Sequence, residues 1–162
     1  MKIDKNYKGL RFENGNYYLS GGISTKESLI IDLDAWLIVE LGIKAGRGIE
    51  AGRSIEVGEG IEVGEGIEAG EGIKAGRGIE VGDGIEAGEG IKAGDGIKAG
   101  WGIKAGRGIE AGLSIKCKKI ISFSFQLFAG ICTWRKVADD DKVIECQYVK
   151  GGTVEYGIVK KI

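Results

Sequence analysis

Residues 60–75 read Gly60-Ile61-Glu62-Val63-Gly64-Glu65-Gly66-Ile67-Glu68-Ala69-Gly70-Glu71-Gly72-Ile73-Lys74-Ala75. The unit is Gly-Ile-Glu/Lys-Ala/Val-Gly-x, and its isoleucine recurs at a spacing of six from Ile43 to Ile115, 13 times in all. A helix is excluded: six does not fit a 3.6-residue period, and glycines at about 1 kcal/mol each would melt one. A short strand fits. Ile and Ala/Val lie two apart and point the same way, while the Glu or Lys between them points outward. The outward residue flanked by two glycines then makes a corner, where glycine tolerates positive φ and close backbone stacking. One unit cannot bury its own isoleucine, but stacked coils can.

Three units per coil give a triangular parallel β-helix with 18 residues per turn. Upstream, Leu37/Val39 and Ile31/Leu33 keep the same phase with larger residues, and counting from Ile31 to Ile120 gives 15 units, or five coils. The expected class is therefore all-β. A short β cap occupies 1–30, the β-helix 31–118, and a small antiparallel β domain 119–162. Asn14-Gly15 between Leu10–Glu13 and Asn16–Tyr18 signals a hairpin in the first segment. The last contains four expected strands, Ile120–Phe128, Ile131–Val137, Val143–Tyr148 and Thr153–Val159. Turns are expected at Asp139-Asp140-Asp141 and Gly151-Gly152.

The unit resembles the hexapeptide-repeat left-handed β-helix, and the resemblance implies a left-handed coil. That hand breaks the usual right-handed crossover preference. The order Ile-x-Ala is the reverse of that family's large and small positions, so the likeness fixes the coiling more firmly than its hand. The enzymes of the family are acyltransferases, which use a histidine base, and carbonic anhydrases, which use histidine metal ligands. This chain has no histidine, so neither mechanism can run on it. Its serines lack an activating base, and its Gly-x-Gly runs open no Gly-Lys-Ser/Thr loop. No catalytic residue, cofactor or metal is expected.

Cys117, Cys132 and Cys146 are odd in number and lack Cys-x-x-Cys spacing, which fits reduced structural thiols. The start of the chain shows no apolar signal core, and no run approaches the ~20 residues of a membrane helix. A cytoplasmic protein with no membrane or direct nucleic-acid partner is expected.

With 23 Lys+Arg against 24 Asp+Glu, net charge gives no direction, and local charge must carry the argument. Positions 18 apart stack about 4.8 Å from each other. One outward column then reads Asp32, Glu50, Glu68, Glu86, Lys104. Glu65 and Glu71 flank it on one coil, Asp83 and Glu89 on the next. The six acids from Glu65 to Glu89 form a two-row block that Glu50 and Asp32 extend. Stacked like charges destabilise a sheet, so the block reads either as drift of the repeat kept in solution by hydration or as a partner-binding face that imitates nucleic acid, whose charge is regularly spaced. Pentapeptide-repeat proteins resemble DNA in a related way. Trp101, Leu113 and Trp134 stand at outward positions that suit an interface hot spot or packing between segments.

The Gly-Ile-Lys-Ala-Gly run resembles uncharacterised proteins of phages and prophages of gut Firmicutes. So do Leu113-Ser114-Ile115-Lys116-Cys117-Lys118, Phe128-Ala129-Gly130-Ile131-Cys132-Thr133-Trp134-Arg135 and Gly152-Thr153-Val154-Glu155-Tyr156-Gly157. The likeness covers about residues 43–160. Several phage inhibitors of CRISPR nucleases are small, acidic and non-catalytic. The resemblance thus implies an anti-CRISPR-like binder of a basic nucleic-acid enzyme, such as a CRISPR effector nuclease. Two other readings stand beside it: a structural or trimerising phage β-helix that forms homo-oligomers, and a sponge for nucleotide signals using Arg47, Arg53 and Arg107.

Overall fold

The computed structural model describes residues 1–162. The chain is all-β, coiled into a solenoid of parallel strands on three faces, with eight rungs on each face. The first face stacks Lys2–Ile3, Leu29–Ile31, Ile49–Ala51, Ile67–Ala69, Ile85–Ala87 and Ile103–Ala105. The second stacks Asn16–Leu19, Leu37–Val39, Ile55–Val57, Ile73–Ala75, Ile91–Ala93 and Ile109–Ala111. The third runs from Ile23–Thr25 through Ile115–Cys117 to Val143–Cys146 and Ile158–Lys161. Two long strands, Ile120–Ala129 and Tyr148–Tyr156, bend across a corner and complete the first and second faces.

Registers confirm the 18-residue turn: Ile61 sits between Ile43 and Ile79, and Ile67 between Ile49 and Ile85. Hydrogen bonds continue past the strands. Ile61 N–H donates to Gly78 O at 3.0 Å and Gly64 N–H to Ala45 O at 3.0 Å. One apolar cluster of 41 buried residues runs from Ile3 to Cys146. Each fully buried isoleucine contributes roughly 1.5–3 kcal/mol, so the ladder down the axis dominates stability.

Residues 31–118 supply the expected five coils, and the flanks add three more, one at the start and two at the end. The C-terminal segment is not an antiparallel domain. Its strands pair in parallel with the coil before them, Ile121 with Val149 and Ile144 with Val159. Residues 131–137 form no strand but a loop held by Arg135, whose guanidinium donates two bonds of 2.9 Å to Asp141. The expected turn at Asp139–Asp141 is a short 3₁₀ helix. Gly151 and Gly152 do turn the chain, but within a strand as it passes from the first face to the second.

The expected hairpin is present: Glu13 pairs with Asn16 and Leu10 with Leu19 in antiparallel register, with Asn14 and Gly15 both at positive φ. No glycine of the repeat itself has positive φ. Their role is close approach. A Cβ at Gly64 would lie 2.1 Å from Gly46 O, inside the backbone of the coil before it.

The phase offset upstream of residue 37 is a second correction. Leu29 pairs with Ile49 and Leu37 with Ile55, so the corner between them holds two extra residues. Leu33 tucks into that corner and is buried. Its spacing from Ile31 imitates a rung without being one.

Candidate acidic binding surface

The register fixes the outward column of the first face as Lys2, Ile30, Glu50, Glu68, Glu86, Lys104, Ser122 and Lys150. Asp32 is not in it. The two-residue offset puts Ile30 above Glu50 and leaves Asp32 beside the column, where it pairs with Lys2 at 2.6 Å. That contact raises the pKa of Lys2.

Three more of the expected acids are neutralised by cations 18 residues away. Lys104 bonds Glu86 at 2.5 Å, Arg107 lies 3.3 Å from Glu89, and Arg53 bonds Glu71 at 2.5 Å. Glu71 also accepts from Ser54 Oγ at 3.2 Å and Trp36 Nε1 at 3.1 Å. The Arg53 guanidinium holds its carboxyl below the usual range, against partial burial and with help from Ser54. Glu71 is therefore a structural anchor of its corner.

Glu50, Glu65, Glu68 and Asp83 have no ion-pair partner. Glu50 and Glu68 stack on the face, and Asp83 donates its N–H to Glu65 O in the neighbouring corner at 3.1 Å. The rest of the solenoid behaves otherwise. Seven glutamates occupy strand centres between residues 49 and 117, and the other five are paired: Glu56 with Lys74, Glu62 with Lys44, Glu80 with Lys98, Glu86 with Lys104, Glu110 with Lys92. Such exposed pairs are worth under about 1 kcal/mol each, but their regularity makes the two exceptions visible.

A groove of about 820 Å³ runs along this face, floored by the glycine stripe Gly48, Gly66, Gly84 and Gly102. Glu50, Glu68 and Glu86 line one stretch, and Trp101, Lys104 and Lys150 the next, so the groove is acidic at its middle and basic towards the C-terminal end. Trp101 is 60% exposed, with Lys119 Nζ 5.3 Å from its ring centroid. The sequence reading missed Lys150, because it did not expect the closing coils on this face.

Leu113 and Trp134 lie elsewhere. Leu113 sits at the corner between the second and third faces, half-buried under the 130–137 loop, whose Gly130 donates to Leu113 O at 3.0 Å. Trp134 projects from that loop, 65% exposed. Trp101 alone of the three borders the acidic strip. The arginines are also dispersed: Arg53 bonds Glu71, Arg107 lies 3.3 Å from Glu89, and Arg47 lies 3.9 Å from Glu27.

The cysteines are unbridged, with Cys117 and Cys146 buried. Burial pushes the Cys117 thiol up to about 11 and raises that of Cys146. No helix is long and apolar enough to cross a membrane. Compared with protein-family models, curated proteins and solved structures, the chain matches none.

Proposed function

We propose that this chain is a non-enzymatic binding protein that docks its acidic strip on the basic surface of a nucleic-acid-binding enzyme. It would act as a phage-type inhibitor within the host cell of a phage or mobile element, and a CRISPR effector nuclease is the first target to try. The observation that supports the reading is the set of four unpaired carboxylates, Glu50, Glu65, Glu68 and Asp83, on a surface whose other ladder positions pair Glu with Lys. Across three coils, about 10 Å of axis, they present one charge per roughly 2.5 Å, against one per about 1.7 Å in duplex DNA. Rigid spacing matters as much as density, because the donors they would meet are then aligned without ordering a loop.

The test is capture of basic nucleic-acid enzymes, CRISPR effector nucleases included, by the purified chain at low and high salt. Capture should weaken with salt, and the triple change Glu65→Lys, Glu68→Lys, Asp83→Lys should abolish it. Glu86→Gln, at a carboxylate already bonded to Lys104, should change it little. Affinity that survives the triple change refutes the acidic-strip reading.

A further inference from the structure

The formal net charge of −1, which speaks against a nucleic-acid partner, conceals a polarity. Residues 1–115 hold 14 Lys+Arg against 19 Asp+Glu, whereas residues 116–162 hold nine against five. On the surface the sign changes sharply. The corner between the third and first faces reads Glu65, Asp83, Trp101, Lys119 on successive coils, and each of the last three donates its N–H to the carbonyl of the one before. The outward column of the first face turns in step, from Glu86 to Lys104 and on to Ser122 and Lys150. Trp101 stands at the reversal with its ring open to solvent and Lys119 beside it. The cations past this point are largely unpaired. Of six strand-centre lysines between residues 43 and 117, five bond a glutamate one coil away. Lys116 is the exception, although Glu145 follows it in register. Lys118, Lys119 and Lys150 are in no ion pair either, and Lys116, Lys118 and Lys150 are exposed.

We propose that this corner binds single-stranded nucleic acid, with one base stacked on Trp101 and phosphates held by Lys116, Lys118, Lys119 and Lys150. This does not rest on the inhibitor reading. Every base has a π-face and every linkage a negative charge, and an exposed ring set among unpaired lysines meets both. An acidic peptide would use the lysines and leave the ring idle, and a duplex keeps its bases out of the ring's reach. The acidic strip sets the direction of the strand. Asp83 and Glu86 repel phosphates on the other side of Trp101, so the strand cannot follow the groove along the solenoid axis. It crosses the corner instead, from Lys116 on the third face over Lys118 and Lys119 to the first face. Lys119 is three residues on from Lys116, about 10 Å of extended chain. Ser122 is three further, and its register partner one coil on is Lys150. The four lysines thus lie on one short track around the ring.

Fluorescence anisotropy of the full chain with a labelled mixed-sequence single strand, as DNA and as RNA, tests this between about 50 and 200 mM salt. Binding of either strand is expected. Its logarithm should fall with the logarithm of salt at a slope of roughly −3, four phosphates at about −0.7 each. Trp101→Ala should weaken binding about tenfold, the worth of one stacked base, and Lys118→Glu with Lys119→Glu should abolish it. Glu65→Lys, Glu68→Lys, Asp83→Lys together should leave it intact or tighten it, so this site and the acidic strip fail separately. No binding at the lower salt overturns the inference, as does indifference to Trp101→Ala or to the double lysine change. A duplex of the same sequence that binds equally well overturns it too. So does polyglutamate that competes as well as the oligonucleotide, which would mark the corner as a site for acidic protein.

Discussion

Replacing one glycine of a Gly-x-Gly corner should be severe, and replacing the other mild. Gly82 and Gly84 flank Asp83 and look equivalent in sequence. A Cβ at Gly82 would stand 1.9 Å from Gly64 O and 2.8 Å from Gly64 C, whereas at Gly84 its nearest neighbour is Gly102 O at 3.6 Å. Bringing the first contact to even 3.0 Å means opening the coils by about 1.1 Å. The Gly82 N–H to Val63 O bond of 2.9 Å and the Asp83 N–H to Glu65 O bond of 3.1 Å then stretch past bonding distance. Two lost bonds at about 1 kcal/mol each, at a corner where Gly82 and Asp83 are exposed, cost about 2 kcal/mol. Neither glycine has positive φ, so Gly84→Ala meets no strain and should stabilise by about 0.4–1 kcal/mol through the unfolded chain. Urea unfolding of the two single variants gives the comparison, and hydrogen exchange locates the effect, since solenoid coils open locally. If Gly82→Ala is no less stable than Gly84→Ala, close stacking is not why the repeat keeps its glycines. The chain has already made the tolerant change twice, with Ser54 and Ser114 at positions equivalent to Gly84.

Other predictions concern the buried polar corner and the thiols. Ser54→Ala removes a hydroxyl that accepts Gly72 N–H at 3.0 Å and donates to Glu71, in a residue 5% exposed. It should cost about 1–3 kcal/mol in urea unfolding. Because Glu71 is held below its ordinary value of 4.5, its contribution is complete above that pH and is lost as pH falls through the depressed value. Acid loosening of this corner, followed by hydrogen exchange, should therefore begin below pH ~4.5 and be absent in Glu71→Gln. Thiol labelling of the native chain should modify Cys132 and leave Cys117 and Cys146 until unfolding. Equal labelling of all three would contradict the burial that raises the two inner thiols.

The middle of the fold was legible because one period repeats and every rung obeys it. The flanks were misread for physical reasons. Leu33 stands two residues after Ile31, the spacing of a rung, yet fills a longer corner, which moved Asp32 into a column it does not join. At the other end, Asp139–Asp141 and Gly151-Gly152 look like hairpin turns, and strand length does not distinguish a hairpin from a rung. The signal for one more coil was present: Ile121 and Leu127 carry on the spacing of six from Ile115. The site was half legible. The spacing of 18 that stacked the acids also set Lys104 beside Glu86, Arg107 beside Glu89 and Arg53 beside Glu71, and only side-chain geometry shows which carboxylates are left over.

The unevenness of the flanks has a consequence for folding. Between Ile43 and Ile115 every sixth residue is isoleucine, so a slip of one unit carries each strand to the next face and still stacks isoleucine on isoleucine. The repeat specifies that coils form, but hardly which strand belongs to which face, and misthreaded forms there lie close in energy to the correct one. What separates them are the irregular parts: Leu29, Leu37 and Val39 in place of Ile and Ala, the long corner at Leu33, the hairpin, and the bent strand at 120–129. A chain shortened to its repeats would coil and populate several threadings, whereas the flanks nucleate one and hold the rest of the chain to it.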